Sequence, residues 1–292
     1  MRRLLPIAAF MIVAAAGRLA AAPPPDAQSS RPIVDLRIPG GAETQQLTLT
    51  DGSRLYGTVE SIEHDAIVFR TLGGVALTVA RADIADLRVV RGRLVRGEFQ
   101  PLDPHNTRLF FAPTARSLKR GEGYLGVYEI FLPFVQIGVT DRFSIGGGTP
   151  LIFFASDFHP LWITPKLQLV ARDRAQAAIG VIHITGMGRE HDAGIAYEVT
   201  TIGHPEQSAS IGLGYAYSGT HRAAIVMVGG EARTGRHVKW MTENWFWSGG
   251  GNGFVSGGVR FIGERLSADI ALMVPLVKGT TPVPLVSFAW HF

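Results

Sequence analysis

Val286-Ser287-Phe288-Ala289-Trp290-His291-Phe292, the last seven residues of the sequence, place every large apolar side chain on one parity and Ser, Ala and His on the other. Period two is the signature of a strand with one apolar face. The same text recurs upstream. Ala268, Ile270, Leu272 and Val274 oppose Ser267, Asp269, Ala271 and Met273; Ala209, Ile211, Leu213, Tyr215 and Tyr217 oppose Ser210, Gly212, Gly214 and Ala216. Ile195, Tyr197 and Val199 oppose Ala196, Glu198 and Thr200, and Val255, Val259 and Phe261 oppose Ser256, Gly258 and Arg260. Working back from Phe292, strands are predicted near 284–292, 267–277, 254–263, 238–247, 223–233, 208–218, 194–202, 176–187, 162–171, 143–149, 134–140 and 123–131.

The connections between them are of two kinds. Thr140-Asp141-Arg142, Arg172-Asp173-Arg174, His204-Pro205-Glu206-Gln207, Thr234-Gly235-Arg236-His237 and Gly263-Glu264-Arg265 are tight and charged. The alternate connections are longer or Gly-rich: 156–160, 188–192, 218–222, 248–253 and 278–282. Short turns at one rim and longer loops at the other predict an antiparallel transmembrane β-barrel of about 12 strands over residues 123–292. Aromatic girdles are expected at Phe153, Phe154, Phe158, Trp162, Trp245, Phe246 and Trp247 on the loop side, and at Trp240, Phe261 and the C-terminal trio on the other. A further apolar piece, Leu109–Ala115, would make the count odd and put the start of the barrel on the wrong side, so it is left out of the wall. A soluble β fold would alternate too, but it leaves the rim asymmetry and the girdles without a reason.

Ahead of the barrel the chain changes character twice. Arg2 and Arg3 precede the apolar run Leu4–Ala16 and small residues follow to Ala22, which reads as an export signal over 1–22. Residues 23–45, with Pro23-Pro24-Pro25, read as a disordered linker. From 46 to 92, five short strands with turns at Asp51-Gly52 and Gly73-Gly74 predict a small bent barrel; 93–122 is then a connecting segment. The sequence has no Cys, which excludes disulfides, thiol catalysis and cysteine-linked lipid. The 28 basic and 24 acidic residues nearly balance once Arg2, Arg3 and Arg18 are set aside, so no polyanionic partner is implied.

Three resemblances follow from these residues. Phe288-x-Trp290-x-Phe292 resembles the assembly signal read by the bacterial outer-membrane insertion machinery. The region from about 105 onward, including Ala112-Pro113-Thr114-Ala115-Arg116-Ser117-Leu118 and Gly138-Val139-Thr140-Asp141-Arg142, is similar to bacterial outer-membrane barrels. Leu49-Thr50-Asp51-Gly52-Ser53-Arg54-Leu55-Tyr56-Gly57-Thr58-Val59 resembles the first two strands of Sm-like or SH3-like barrels. They imply an outer-membrane location with the N-terminal module in the periplasm, and outer-membrane lipid and the insertion machinery as partners. Where the Sm family holds a base with Met-Asn, this sequence has Ala66-Ile67, so nucleic acid is not expected as a partner.

Lys166, Gln168, Glu198, Glu231, Arg233, Arg260 and Asp269 are assigned to the inward parity. An outward Lys or Arg at the bilayer midplane costs about 2–4 kcal/mol, so these side chains are expected to line the lumen. With Gly, Ala and Ser between them, a passive or weakly selective pore for small polar solutes is expected. One alternative is a closed structural barrel docking a periplasmic partner through the Sm-like module. Another is a rim hydrolase, as in some twelve-stranded outer-membrane lipases, using Ser156 with His159 or Ser218 with His221 and Asp157 or Asp192 behind the imidazole. No nucleophile elbow supports it, and no enzyme is expected. His159, His191 and His221, with Asp157, Glu190 and Asp192 nearby, lack a ligand spacing, so no metal or other cofactor is expected.

Overall fold

The computed structural model describes residues 43–95, 97–151, 160–186, 192–249, 252–277 and 279–292. The expected export signal and most of the linker lie outside them, as do Phe153, Phe154, Ser156, Asp157, Phe158, His159, Glu190 and His191. Among the described residues there is no α-helix.

The first unit is a five-stranded antiparallel sheet of β1 (Gln45–Leu49), β2 (Arg54–Ile62), β3 (Ala66–Thr71), β4 (Ala76–Ala80) and β5 (Ile84–Val89), in the order β4-β3-β2-β1-β5. Asp51-Gly52 makes the first turn as predicted. Gly52 has a φ of 85°, and the Asp51 carboxylate accepts a hydrogen bond from the Ser53 N–H at 2.8 Å, which holds its pKa below the usual range. Register shifts at Thr48/Leu49 and Val59/Ser61 break the ladder, and such bulges bend a sheet. One face closes on Leu47, Val59, Ile67, Phe69, Val79 and Ile84, a core separate from that of the barrel.

The connecting segment opens with a hairpin the sequence reading lacked, β6 (Gly92–Val95) and β7 (Glu98–Pro101), turning at Gly97 with a φ of 83°. Phe99 explains its placement. Its ring stacks on Tyr56 of β2 at 4.1 Å and lies where a Cβ on residue 92 would be.

The second unit is a closed antiparallel barrel. Its wall runs β8 (Gly123–Tyr128), β9 (Leu132–Gly138), β10 (Phe143–Gly148), β11 (Leu161–Ile163) with β12 (Lys166–Arg172), β13 (Ala175–Thr185), β14 (Ala193–His204), β15 (Gln207–Ser218), β16 (His221–Arg233), β17 (Val238–Trp247), β18 (Asn252–Ile262), β19 (Leu266–Pro275) and β20 (Val283–His291). β11 and β12 fill one place between β10 and β13, broken at Thr164-Pro165, and β20 pairs with β8, so the barrel has twelve strands. Proline has no N–H to give the ladder, which explains why the predicted strand at 162–171 is split. The seam is sealed by Gly123 and Phe292, which exchange two backbone hydrogen bonds at 3.0 and 2.9 Å.

Alternation sorts the side chains. Ile211, Leu213 and Tyr215, Ile270 and Leu272, and Phe288, Trp290 and Phe292 are exposed on the outer face. Trp240, Phe246 and Phe261 join them, but the loop-side girdle is corrected in part. Trp162 lines an interior cavity, Trp245 packs against the interior core, and Trp247 shares the inward row of Ile225.

The two cores make a test. Phe69→Ala should lower the stability of the five-stranded unit by about 3–5 kcal/mol without moving the barrel transition. Thermal unfolding in detergent micelles should show two transitions, of which only the first shifts.

Candidate functional site

After β7 the chain enters the barrel through the short-turn rim and fills its lumen. The segment 102–122 runs inward, reverses at Leu109–Ala112 and returns to begin β8. Leu109 N–H donates to the Ala112 carbonyl at 2.8 Å and Thr114 N–H to Thr107 at 3.0 Å, making a short irregular hairpin. His105, Leu109, Ala112, Thr114 and Ala115 are fully buried. Burying polar residues here requires partners: Ser267 Oγ lies 2.7 Å from His105 Nδ1, and the Thr114 hydroxyl donates to the Asn106 carbonyl within the hairpin, while His105 Nε2 has no partner among the described residues.

The wall meets them with its charges. Asp103 sits at the entry between Lys239, at 2.6 Å, and Arg260, at 3.3 Å. Arg260 also clasps Asp269 through Nε at 2.6 Å and donates to the carbonyls of His105 and Leu109, each at 2.8 Å. Arg108 reaches from the hairpin to Asp269 at 3.0 Å, and its guanidinium lies 5.3 and 5.5 Å from the ring centres of Tyr128 and Phe134. On the return limb Arg116 pairs with Glu231 at 2.6 Å, and Lys239 meets the other oxygen of Glu231 at 2.9 Å. Lys166 has no carboxylate. Its ammonium donates instead to the carbonyls of Thr107, Thr114 and Arg116 at 3.0, 3.1 and 2.6 Å. All three ammonium protons are thereby used.

Uncharged groups complete the clamp. Gln168 Nε2 donates to the Ala115 carbonyl at 2.8 Å, and Ala115 N–H donates to Thr201 Oγ1 at 2.9 Å. At the tip, Glu243 accepts the N–H groups of Phe111 and Ala112, both at 2.9 Å, while Trp245 Nε1 donates to its second oxygen at 2.8 Å. The Leu109 methyl group occupies the space that a Cβ on residue 229 would need, so Gly229 is required for the hairpin to lie this close to β16. A cavity of about 70 Å³ remains beside the tip, lined by Arg108, Phe111, Tyr124, Tyr128, Trp162 and Tyr197 among others.

The predicted lining is therefore redistributed. Lys166, Gln168, Glu231, Arg260 and Asp269 are buried and inward, but they hold the hairpin, and the expectation of an open lumen is corrected. A charge facing a low-dielectric interior needs a partner at contact distance, and the inserted chain supplies it. Arg233 lies at the rim, paired with Glu206 and donating to the Pro101 carbonyl at 2.9 Å. Glu198 is not inward. It pairs in register with Ile179 and Leu213 on the outer face, because the inward parity of β14 is that of Tyr197, Val199 and Thr201. Phe288, Trp290 and Phe292 are outward at the seam.

Lys239 and Glu243 were missed, although they share the parity of Met241 and Trp245 against Trp240, Thr242 and Phe246. Asp103, His105, Arg108 and Arg116 carried no periodic signal at all. Ser218 and His221 face each other across the β15–β16 turn, and Asp192 pairs with His183 at 3.4 Å rather than with His221.

Removing one partner of a buried pair leaves the other unpaired, at a cost of about 3–5 kcal/mol. Glu231→Ala strands Arg116 and leaves Lys239 with Asp103 as its one carboxylate partner, and should lower barrel stability by that order in urea titrations. Glu264→Ala, at an exposed rim position, should change it by less than about 1 kcal/mol.

No protein-family model and no curated protein matches the chain. Among solved structures, it is similar to the KdgM porin in complex with disordered oligogalacturonate, at 6% identity and a TM-score of 0.46, over 59% of this chain and 98% of that one. It is also similar to a loop L8 deletion mutant of OmpT, an outer membrane protein of Vibrio cholerae, at 10% identity and a TM-score of 0.34, over 86% of this chain and 97% of that one.

Proposed function

We propose that the chain is a bacterial outer-membrane β-barrel, closed at rest by its own inserted hairpin, that holds the five-stranded module at the periplasmic face as a docking platform. The observation that carries this reading is the use of the lumen charges. Lys166, Glu231, Lys239, Arg260 and Asp269, which a water-filled pore would present to solutes, are committed to the inserted segment. Membrane residence is supported by the outer face. Rows such as Ile211-x-Leu213 and Ile270-x-Leu272 are exposed, and a barrel presenting them all round would associate in water. Strands β13–β19 have 10–13 residues, enough to cross a hydrocarbon layer at the usual tilt. In outer-membrane barrels the short-turn rim faces the periplasm. The module joins that rim through β6–β7, with Arg88 pairing with Glu264 at 3.0 Å and Arg91 with Glu122.

For the module, the likeness of 49–59 to Sm-like or SH3-like strands supports a protein-docking role. A passive pore is the second reading, and it then requires the hairpin to leave. Water can replace the polar contacts of the hairpin, whereas its departure also exposes Leu109, Phe110, Ala112 and Ala115, which pack against the wall.

Planar-bilayer recording separates the two. The intact chain should show no steady conductance, whereas replacing residues 103–118 by a short Gly-Ser linker should give a stable open channel. A steady open current from the intact chain would overturn the closed-barrel reading.

A further inference from the structure

A cleft of about 1110 Å³ lies between the five-stranded module and the seam of the barrel. Arg88 to Arg91, at the end of β5, form one side of it. The barrel side is built from the residues just before β8, the β18–β19 turn and the end of β20. Leu266, Trp290 and Phe292 line that side, and all three point outward and are about half exposed. Leu266 and Leu125 flank Trp290 in register, and Val127 and Phe288 pair one pleat further from the rim. The apolar wall of the cleft therefore runs without a break into the outer face of the barrel. An occupant that covers this wall enters the hydrocarbon layer, as a soluble peptide does not.

The polar lining carries an excess of positive charge. Four arginines, Arg88, Arg91, Arg120 and Arg265, stand against three carboxylates, Glu43, Glu122 and Glu264. Arg88 is paired with Glu264 and Arg91 with Glu122. Arg120 and Arg265 are tied down through backbone alone. The Arg120 N–H donates to the Asp141 carboxylate at 3.0 Å, and the Arg265 carbonyl accepts the His291 N–H at 2.7 Å. Their guanidinium groups have no ion pair or hydrogen bond among the described residues. A free guanidinium suits a phosphate, which it meets with two parallel N–H groups. Lipid headgroups lie at the depth where tryptophan collects, and Trp290 marks that depth here.

We propose that this cleft binds one glycerophospholipid of the periplasmic leaflet, its phosphodiester on Arg120 and Arg265 and its acyl chains along Leu266, Trp290 and Phe292. The lipid fills the space between module and bilayer, so the module is tied to the membrane as well as to the barrel rim. The proposal rests on membrane residence, and its test keeps the two apart.

The full chain is extracted from membranes in a non-ionic detergent, titrated with dioleoylphosphatidylglycerol and read by native mass spectrometry. One lipid should bind ahead of all others. Arg120→Gln combined with Arg265→Gln should weaken that first binding about tenfold. Both side chains are exposed, so the fold does not depend on them. Arg172→Gln combined with Arg174→Gln, at an equally exposed turn of the same rim, should leave it unchanged. Dioleoylglycerol, which lacks the phosphate, should bind about tenfold more weakly than the phospholipid. Glycerophosphate, which lacks the chains, should not displace the lipid at equal concentration. Equal weakening by the two arginine pairs, the absence of a distinct first lipid, equally tight dioleoylglycerol, or displacement by glycerophosphate would each overturn the proposal. If the protein is absent from the membrane fraction, the underlying reading fails with it. If it is present there and its first lipid is indifferent to Arg120 and Arg265, this proposal alone fails.

Discussion

A buried charge must meet an opposite charge or a full set of hydrogen bonds, and the interior of this barrel is organised around that requirement. Strand alternation delivers Lys239, Glu231, Arg260 and Asp269 into an enclosed space. Their mutual pairs leave carboxylate oxygens and guanidinium protons over, and the inserted hairpin takes them up with Asp103, Arg108, Arg116 and its own carbonyls. The hairpin in turn has too little backbone pairing to stand alone. Its N–H and C=O groups are answered by Glu243, Thr201, Gln168 and Lys166. Wall and insert each satisfy most of what the other would leave unmet; on the insert, His105 Nε2, Arg108 Nε and two nitrogens of Arg116 have no partner among the described residues.

This interdependence explains why the two units of the chain behave differently. The five-stranded module closes an apolar core of its own around Phe69 and Ile67, and the barrel contributes only rim contacts to it. The barrel has no such self-contained core. Its buried apolar cluster joins Leu109, Phe110, Ala112 and Ala115 from the hairpin to Val199, Met227, Met241 and Leu285 from the wall. Gly229 shows how close the two come, since it lacks the atom that would collide with Leu109. A chain that changed either partner separately would lose both polar satisfaction and packing.

The wall was largely legible in the sequence, because period-two alternation and charged turns are local signals. Eleven of the twelve predicted strand positions are continuous strands, and the twelfth is broken where Pro165 removes a donor. Parity also predicted that Arg260 and Asp269 face inward together, and they pair at 2.6 Å. It misassigned Glu198 for a physical reason: the apolar parity of Ile195, Tyr197 and Val199 was read as the outer one, whereas on β14 that row packs inward against the inserted hairpin and leaves Glu198 outside. The hairpin was invisible because it has no period. Residues 102–122 mix Arg, His and Asp with Leu and Phe, and what fixes them is contact with residues up to 179 positions away. Excluding Leu109–Ala115 from the wall was right on parity, but parity says nothing of where an excluded segment goes.

The filled lumen is tested most directly by the accessibility of the hairpin tip. In a chain with no other cysteine, Leu109→Cys places one thiol at a fully buried position inside the barrel. The account predicts that a charged water-soluble maleimide leaves this thiol unlabelled in the folded protein and labels it after unfolding. Immediate and complete labelling of the folded barrel would contradict it.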